Sequence, residues 1–175
     1  MKRKQMYIIL AVAVFAAGVV IGGFCSISTK PDVIYEYFAG HRGGSLGMMT
    51  GTAAHNAVFV WAVLFFSAFF RFGIPVSMLA VFAKGFTNGF AITAILRFYG
   101  MYGLFMSLQD ILYVPLVVYF AAAVCAESPS EGEKKGFVLF SLLILLLMLA
   151  TASLGSVMSY IAGKYLFPAL EIKKG

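Results

Sequence analysis

The stretch Gly73-Ile-Pro75-Val-Ser-Met-Leu-Ala-Val-Phe-Ala-Lys84-Gly85-Phe-Thr-Asn88-Gly89-Phe-Ala-Ile-Thr-Ala-Ile-Leu96 carries one charge in 24 residues. As a helix it would measure about 36 Å, enough to cross a hydrocarbon core of roughly 30 Å. Lys84 then falls near the bilayer midplane. A charge there costs about 3 kcal/mol on insertion scales and roughly 10 or more on an isolated helix in simulations. The position therefore predicts protein, water or a helix break around the amine.

The rest of the chain agrees with a membrane setting. Of 175 residues 62% are hydrophobic and only 11% charged, against about 25% charged in soluble domains. The mean hydropathy is +0.95. The fold class expected is an all-α integral membrane protein: one polytopic bundle of about five transmembrane helices, without a separate soluble domain. The net charge of +6 is dispersed at the ends of apolar segments, which is the ordinary pattern of membrane topology and does not argue for nucleic acid. Cys25 and Cys125 are isolated and form no metal or redox motif. Lys2-Arg3-Lys4 resembles a signal-peptide start, but Met6–Phe24 is longer than the usual apolar region. An uncleaved first helix with a cytoplasmic N-terminus, in the cell membrane, is the expectation.

The predicted spans are residues 6–24, 53–70, 72–96, 111–126 and 137–163. Residues 25–52 form an external segment, with an interfacial helix over Val33–Phe38 and a glycine-rich loop over Gly40–Gly47. Residues 127–136 are a charged linker. Residues 98–110 are too short to cross and form a candidate re-entrant or half-length element, which lipid permits only under protein cover. Gly73, Pro75 and Pro115 are candidate helix breaks. Gly18-Val-Val-Ile-Gly22 and Gly85-Phe-Thr-Asn-Gly89 are small-xxx-small faces that let a neighbouring helix approach closely. Positive-charge counting leaves the side of the C-terminal tail open. Five crossings divide the cations evenly, whereas a dipping hairpin over 98–126 returns the tail to the N-terminal side.

Little in the chain points to chemistry. His41 and His55 both precede the second span, and no later histidine could serve a serine such as Ser45. No span holds paired carboxylates, and no His, Cys or carboxylate set has metal spacing. No catalytic residue, metal ligand or cofactor is predicted. Lys84 and Asp110 have opposite charge at membrane depth and form either a neutralising pair or a polar ligand site. Asn88 and Gln109 are buried polar candidates that could join helices by hydrogen bonds.

Taken in order, Gly73-Ile-Pro75-Val76, Phe82-x-Lys84-Gly85 and Gly89-Phe90 resemble the central signature of the stage II sporulation protein M family. The following Gly100-Met-Tyr-Gly103 segment, with Ser107, Gln109, Asp110 and Pro115, is similar to that family's glycine segment, polar pair and proline. The chain departs from broader relatives in having Gln109-Asp110 as the polar pair and Tyr113 where an acid often stands. The resemblance implies a non-enzymatic membrane scaffold of endospore formation. It would anchor peptidoglycan-degrading partners, stage II sporulation proteins D and P, at the septal membrane during forespore engulfment. The glycine faces would then meet other helices, including those of a homo-oligomer, and the external segment would meet the partners. A different class, the substrate-binding membrane subunit of a vitamin importer, also suits the size and composition, with Lys84 facing an anionic substrate.

Overall fold

A computed structural model describes residues 3–33, 46–70, 72–99, 108–126 and 134–165. These form five helices: α1 (Arg3–Ser28), α2 (Leu46–Ser67), α3 (Gly73–Tyr99), α4 (Leu108–Ala126) and α5 (Lys134–Tyr165). Among the described residues there is no strand. Helices α1, α2, α3 and α5 are long and apolar enough to cross a membrane; α4 contributes a shorter apolar run, Tyr113–Ala126. Only 11–33% of the apolar window in each long helix is buried inside the bundle. The apolar side chains therefore point outward as well as inward, with Phe24, Leu79 and Leu139 among the exposed ones. That surface suits hydrocarbon, and the chain is an all-helical membrane bundle.

Contacts between elements give their directions. Phe15 meets Gly85, Val19 meets Gly89, Gly23 meets Thr93, and the carbonyl of Ser26 meets Arg97. Both numbers rise together, so α1 and α3 run parallel. Phe65 stacks on Phe137, Trp61 bonds to Ser141 and Ser156 bonds to Met49, so α2 and α5 run antiparallel. The turn between α2 and α3 is short, and its start is tightened by amides bonding three residues back, from Ala68, Phe69 and Phe70. It follows that α5 runs parallel to α1 and ends at the opposite end of the bundle from Arg3. The dipping-hairpin alternative, which returns the tail to the N-terminal end, is not the arrangement found.

Helix α4 begins beside Lys84 in the middle of α3 and descends to the N-terminal end, where Ala122 and Cys125 pack with Tyr7 and Met78. The main core is built by Val117, Phe120 and Ala121 of α4 against Ala57 and Leu64 of α2, Val81 of α3 and Met148 of α5.

Several expectations are corrected. Helix α2 begins at Leu46, not near residue 53, because polar residues need not end a helix. The hydroxyls of Thr50 and Thr52 bond back to the carbonyls of Leu46 and Met48. The segment joining α1 to α2 is correspondingly shorter than residues 25–52, since α1 also continues to Ser28. Pro115 lies inside a continuous α4 and does not end it. Pro75 occupies the first turn of α3, where a missing amide proton leaves no helical bond unmade. Gly73 does mark a turn: a Cβ there would overlap the carbonyl oxygen of Ser67 and lie 2.9 Å from its carbon. Residues 98–99 continue α3 and 108–110 open α4; the remainder of the proposed half-length element, 100–107, lies outside the described residues. So do most of the interfacial segment, 34–38, and the loop over 40–45.

Candidate functional site

Lys84 is eleven residues into α3, about 16 Å from its start at 1.5 Å per residue. That is close to the middle of the helix. Helix α3 is unbroken here, so the helix-break explanation for the lysine fails. The amine is met by protein instead. Its Nζ donates to Asp110 Oδ1 at 3.2 Å and lies 5.0 Å from the centroid of the Tyr113 ring.

Asp110 and Tyr113 are three apart on α4 and so share a face. Asp110 sits in the first turn of α4, where the helix dipole favours a carboxylate. Both charged side chains remain about one-fifth accessible, 22% for Lys84 and 19% for Asp110. At an effective dielectric of about 20, opposite unit charges about 4 Å apart attract by roughly 4 kcal/mol. That is of the same order as the insertion cost of the lysine on translocon scales, about 3 kcal/mol. The pairing thus explains how a charge can persist at this depth. Asn88, one turn further along α3, is buried. The side chain of Gln109 lies outside the described set.

No protein-family model, curated protein or solved structure matches this chain. The site is therefore read from its own geometry.

The glycine faces close on each other. A Cβ on Gly22 would lie 2.8 Å from the carbonyl carbon of Phe86, and one on Gly89 would lie 2.7 Å from that of Val19. One on Gly18 would lie 2.9 Å from the amide nitrogen of Phe86, and one on Gly85 would lie 3.1 Å from the carbonyl carbon of Phe15. Backbone touches backbone at all four positions, the close crossing that small residues allow in lipid. The two small-residue faces are used within one bundle: α1 and α3 close them on each other.

Three further contacts were not anticipated. Arg97 Nη1 donates to the carbonyls of Ser26, Ile27 and Thr29 at 3.2–3.3 Å, capping the end of α1 with a cation. Arg97 lies directly after the predicted span 72–96. Ser67 and Ser77 share a buried hydrogen bond of 2.6 Å across the α2–α3 turn. Trp61 Nε1 donates to the carbonyl of Ser141 at 2.8 Å. Tyr113 alone had a usable signal, its three-residue spacing from Asp110.

Two hollows on the described surface are open and apolar. One is lined by residues of α2 and the start of α3, including Phe59, Phe66 and Phe70; the other by Pro115, Leu116, Tyr119 and Thr151. Neither includes Lys84. Among the described residues no three His, Cys, Asp or Glu side chains gather as a metal site.

Proposed function

We propose that this chain is a non-enzymatic scaffold of the cell membrane, with its N-terminus in the cytoplasm. In this reading it acts in endospore formation as the stage II sporulation protein M family does, holding peptidoglycan-degrading partners of the stage II sporulation D and P type at the septal membrane. The observation that supports a structural over a ligand-binding role is the closure of the Lys84–Asp110 pair. The amine that could have met an anionic substrate is already occupied by a carboxylate and a tyrosine ring. The ordered resemblance of Gly73–Phe90 to the family signature supplies the biological setting.

The test is co-purification from detergent-solubilised membranes of sporulating cells expressing a tagged chain. Wild type should carry both partners. A Lys84→Met/Asp110→Leu double variant, which removes both charges together, should carry them equally well. Absence of both partners from the wild-type preparation would overturn the scaffold reading. A folded double variant that loses them would overturn the purely structural role of the pair.

A further inference from the structure

The N-terminal end of the bundle holds a cation that no described carboxylate neutralises. The described carboxylates are Asp32 and Asp110. Asp110 is taken by Lys84, and Asp32 follows the far end of α1. Lys4, beside Arg3, instead donates to the hydroxyl of Tyr119 at 3.3 Å and lies 5.1 Å from that ring's centroid. A tyrosine hydroxyl that accepts from an ammonium keeps its own proton free to donate. Ammonium and phenol together therefore offer donors to one anion.

Their depth matters. Tyr119 is nine residues beyond Asp110, about 13 Å of helix rise towards the N-terminal end. With the Lys84–Asp110 pair central in a hydrocarbon core of roughly 30 Å, the Lys4–Tyr119 pair lies near the headgroup boundary. Tyr119 also lines the open apolar groove between α4 and α5, with Pro115, Leu116 and Thr151. Its ring packs against Phe140 of α5 at 6.3 Å. Phe140 and Thr151 are eleven residues apart on α5, about 16 Å of rise, close to the thickness of one leaflet's hydrocarbon.

We propose that this groove holds an acyl chain of an anionic phospholipid whose phosphate is bound by Lys4 and Tyr119. Charge complementarity selects the headgroup: a zwitterionic lipid brings its own ammonium, which competes with Lys4, whereas an anionic one brings only the charge opposite to that of Lys4.

The experiment uses the full chain purified in a neutral detergent, with added phosphatidylglycerol, phosphatidylethanolamine or glycerol 3-phosphate. Thermal unfolding and native mass spectrometry are the readouts. Phosphatidylglycerol should raise the midpoint and remain bound, phosphatidylethanolamine should do so more weakly, and glycerol 3-phosphate should have no effect. Lys4→Gln should weaken retention of phosphatidylglycerol about fivefold, as expected for one cation at an anionic surface. Lys4→Arg should preserve it. Tyr119→Phe should weaken it, and Leu116→Trp, which fills the groove, should displace the lipid while leaving Lys4 in place. Equal retention of both lipids, or unchanged preference in Lys4→Gln, overturns the proposal. An effect of glycerol 3-phosphate equal to that of the lipid overturns the acyl-chain part.

Discussion

Replacing Gly22 or Gly89 with alanine should destabilise the bundle, while the same change at Gly51 should not. The Cβ positions at Gly22 and Gly89 fall 2.8 and 2.7 Å from backbone carbons of Phe86 and Val19. Carbon atoms rest comfortably at about 3.5–4.0 Å, so each alanine asks α1 and α3 to part by about 1 Å. Overpacking of this kind costs about 1–3 kcal/mol, against a gain of about 0.5–1 kcal/mol from removing a helical glycine. The net expectation is a loss of about 1–2 kcal/mol at each site. A Cβ at Gly51 meets nothing within 4 Å, so Gly51→Ala keeps only the gain. Because both seam glycines separate the same two helices, the second substitution finds space already opened by the first. The Gly22→Ala/Gly89→Ala double variant should therefore lose less than the sum of the singles. Thermal unfolding of the purified protein in detergent, followed by circular dichroism, measures all four variants. If Gly89→Ala is as stable as wild type, or Gly51→Ala loses as much as Gly89→Ala, the backbone-to-backbone seam is not what holds α1 to α3.

The Lys84–Asp110 pair predicts a different pattern. Lys84→Met or Asp110→Leu alone should cost about 3–5 kcal/mol by stranding a charge, whereas the double variant should be near neutral; a double variant as unstable as the singles would show that the charges do not neutralise one another. Arg97→Ala should loosen the end of α1, costing about 1–3 kcal/mol through the loss of charge-assisted bonds to three carbonyls. Faster hydrogen exchange of amides near residues 26–29 is the expected signature, and unchanged exchange there counts against the cap. Trp61→Phe removes a single donor and should cost about 1 kcal/mol, seen as a lower unfolding midpoint without loss of helix content; no shift would mean that the Ser141 contact adds nothing.

The membrane class and most of the helices were legible because they depend on long uncharged runs, which composition reports directly. Helix ends were less legible. The polarity of Thr50 and Thr52 suggested a loop, yet their hydroxyls bond along the helix and leave α2 intact. Pro115 suggested a break, but one missing amide can be carried inside a packed helix such as α4. At the candidate site, the opposite charges of Lys84 and Asp110 marked both partners, and the register of α3 against α4 determined that they meet. The glycine faces could be found by spacing but not assigned a partner, because i, i+4 periodicity says which residues share a face and nothing about what covers it. Arg97 was hidden for a similar reason: the carbonyls it caps lie about seventy positions away on α1.

Within the scaffold reading, this pairing of faces relocates where partners should be recognised. Apolar helix surfaces gain nothing by leaving lipid, so membrane helices recruit one another through small residues and polar groups. In this bundle the four seam glycines meet each other's helices, Lys84 meets Asp110, Ser67 meets Ser77, and Trp61 meets α5. Phe24, Leu79 and Leu139 are left to face outward. Recognition then falls to the connecting segments, above all the long one between α1 and α2. A seam variant such as Gly85→Leu would lose partners simply by opening the bundle. Exchanging residues 40–45 for a glycine–serine linker should instead release both partners while the unfolding midpoint stays at the wild-type value. Retention of both partners by that variant would return recognition to the helices and contradict a seam that is satisfied within one chain.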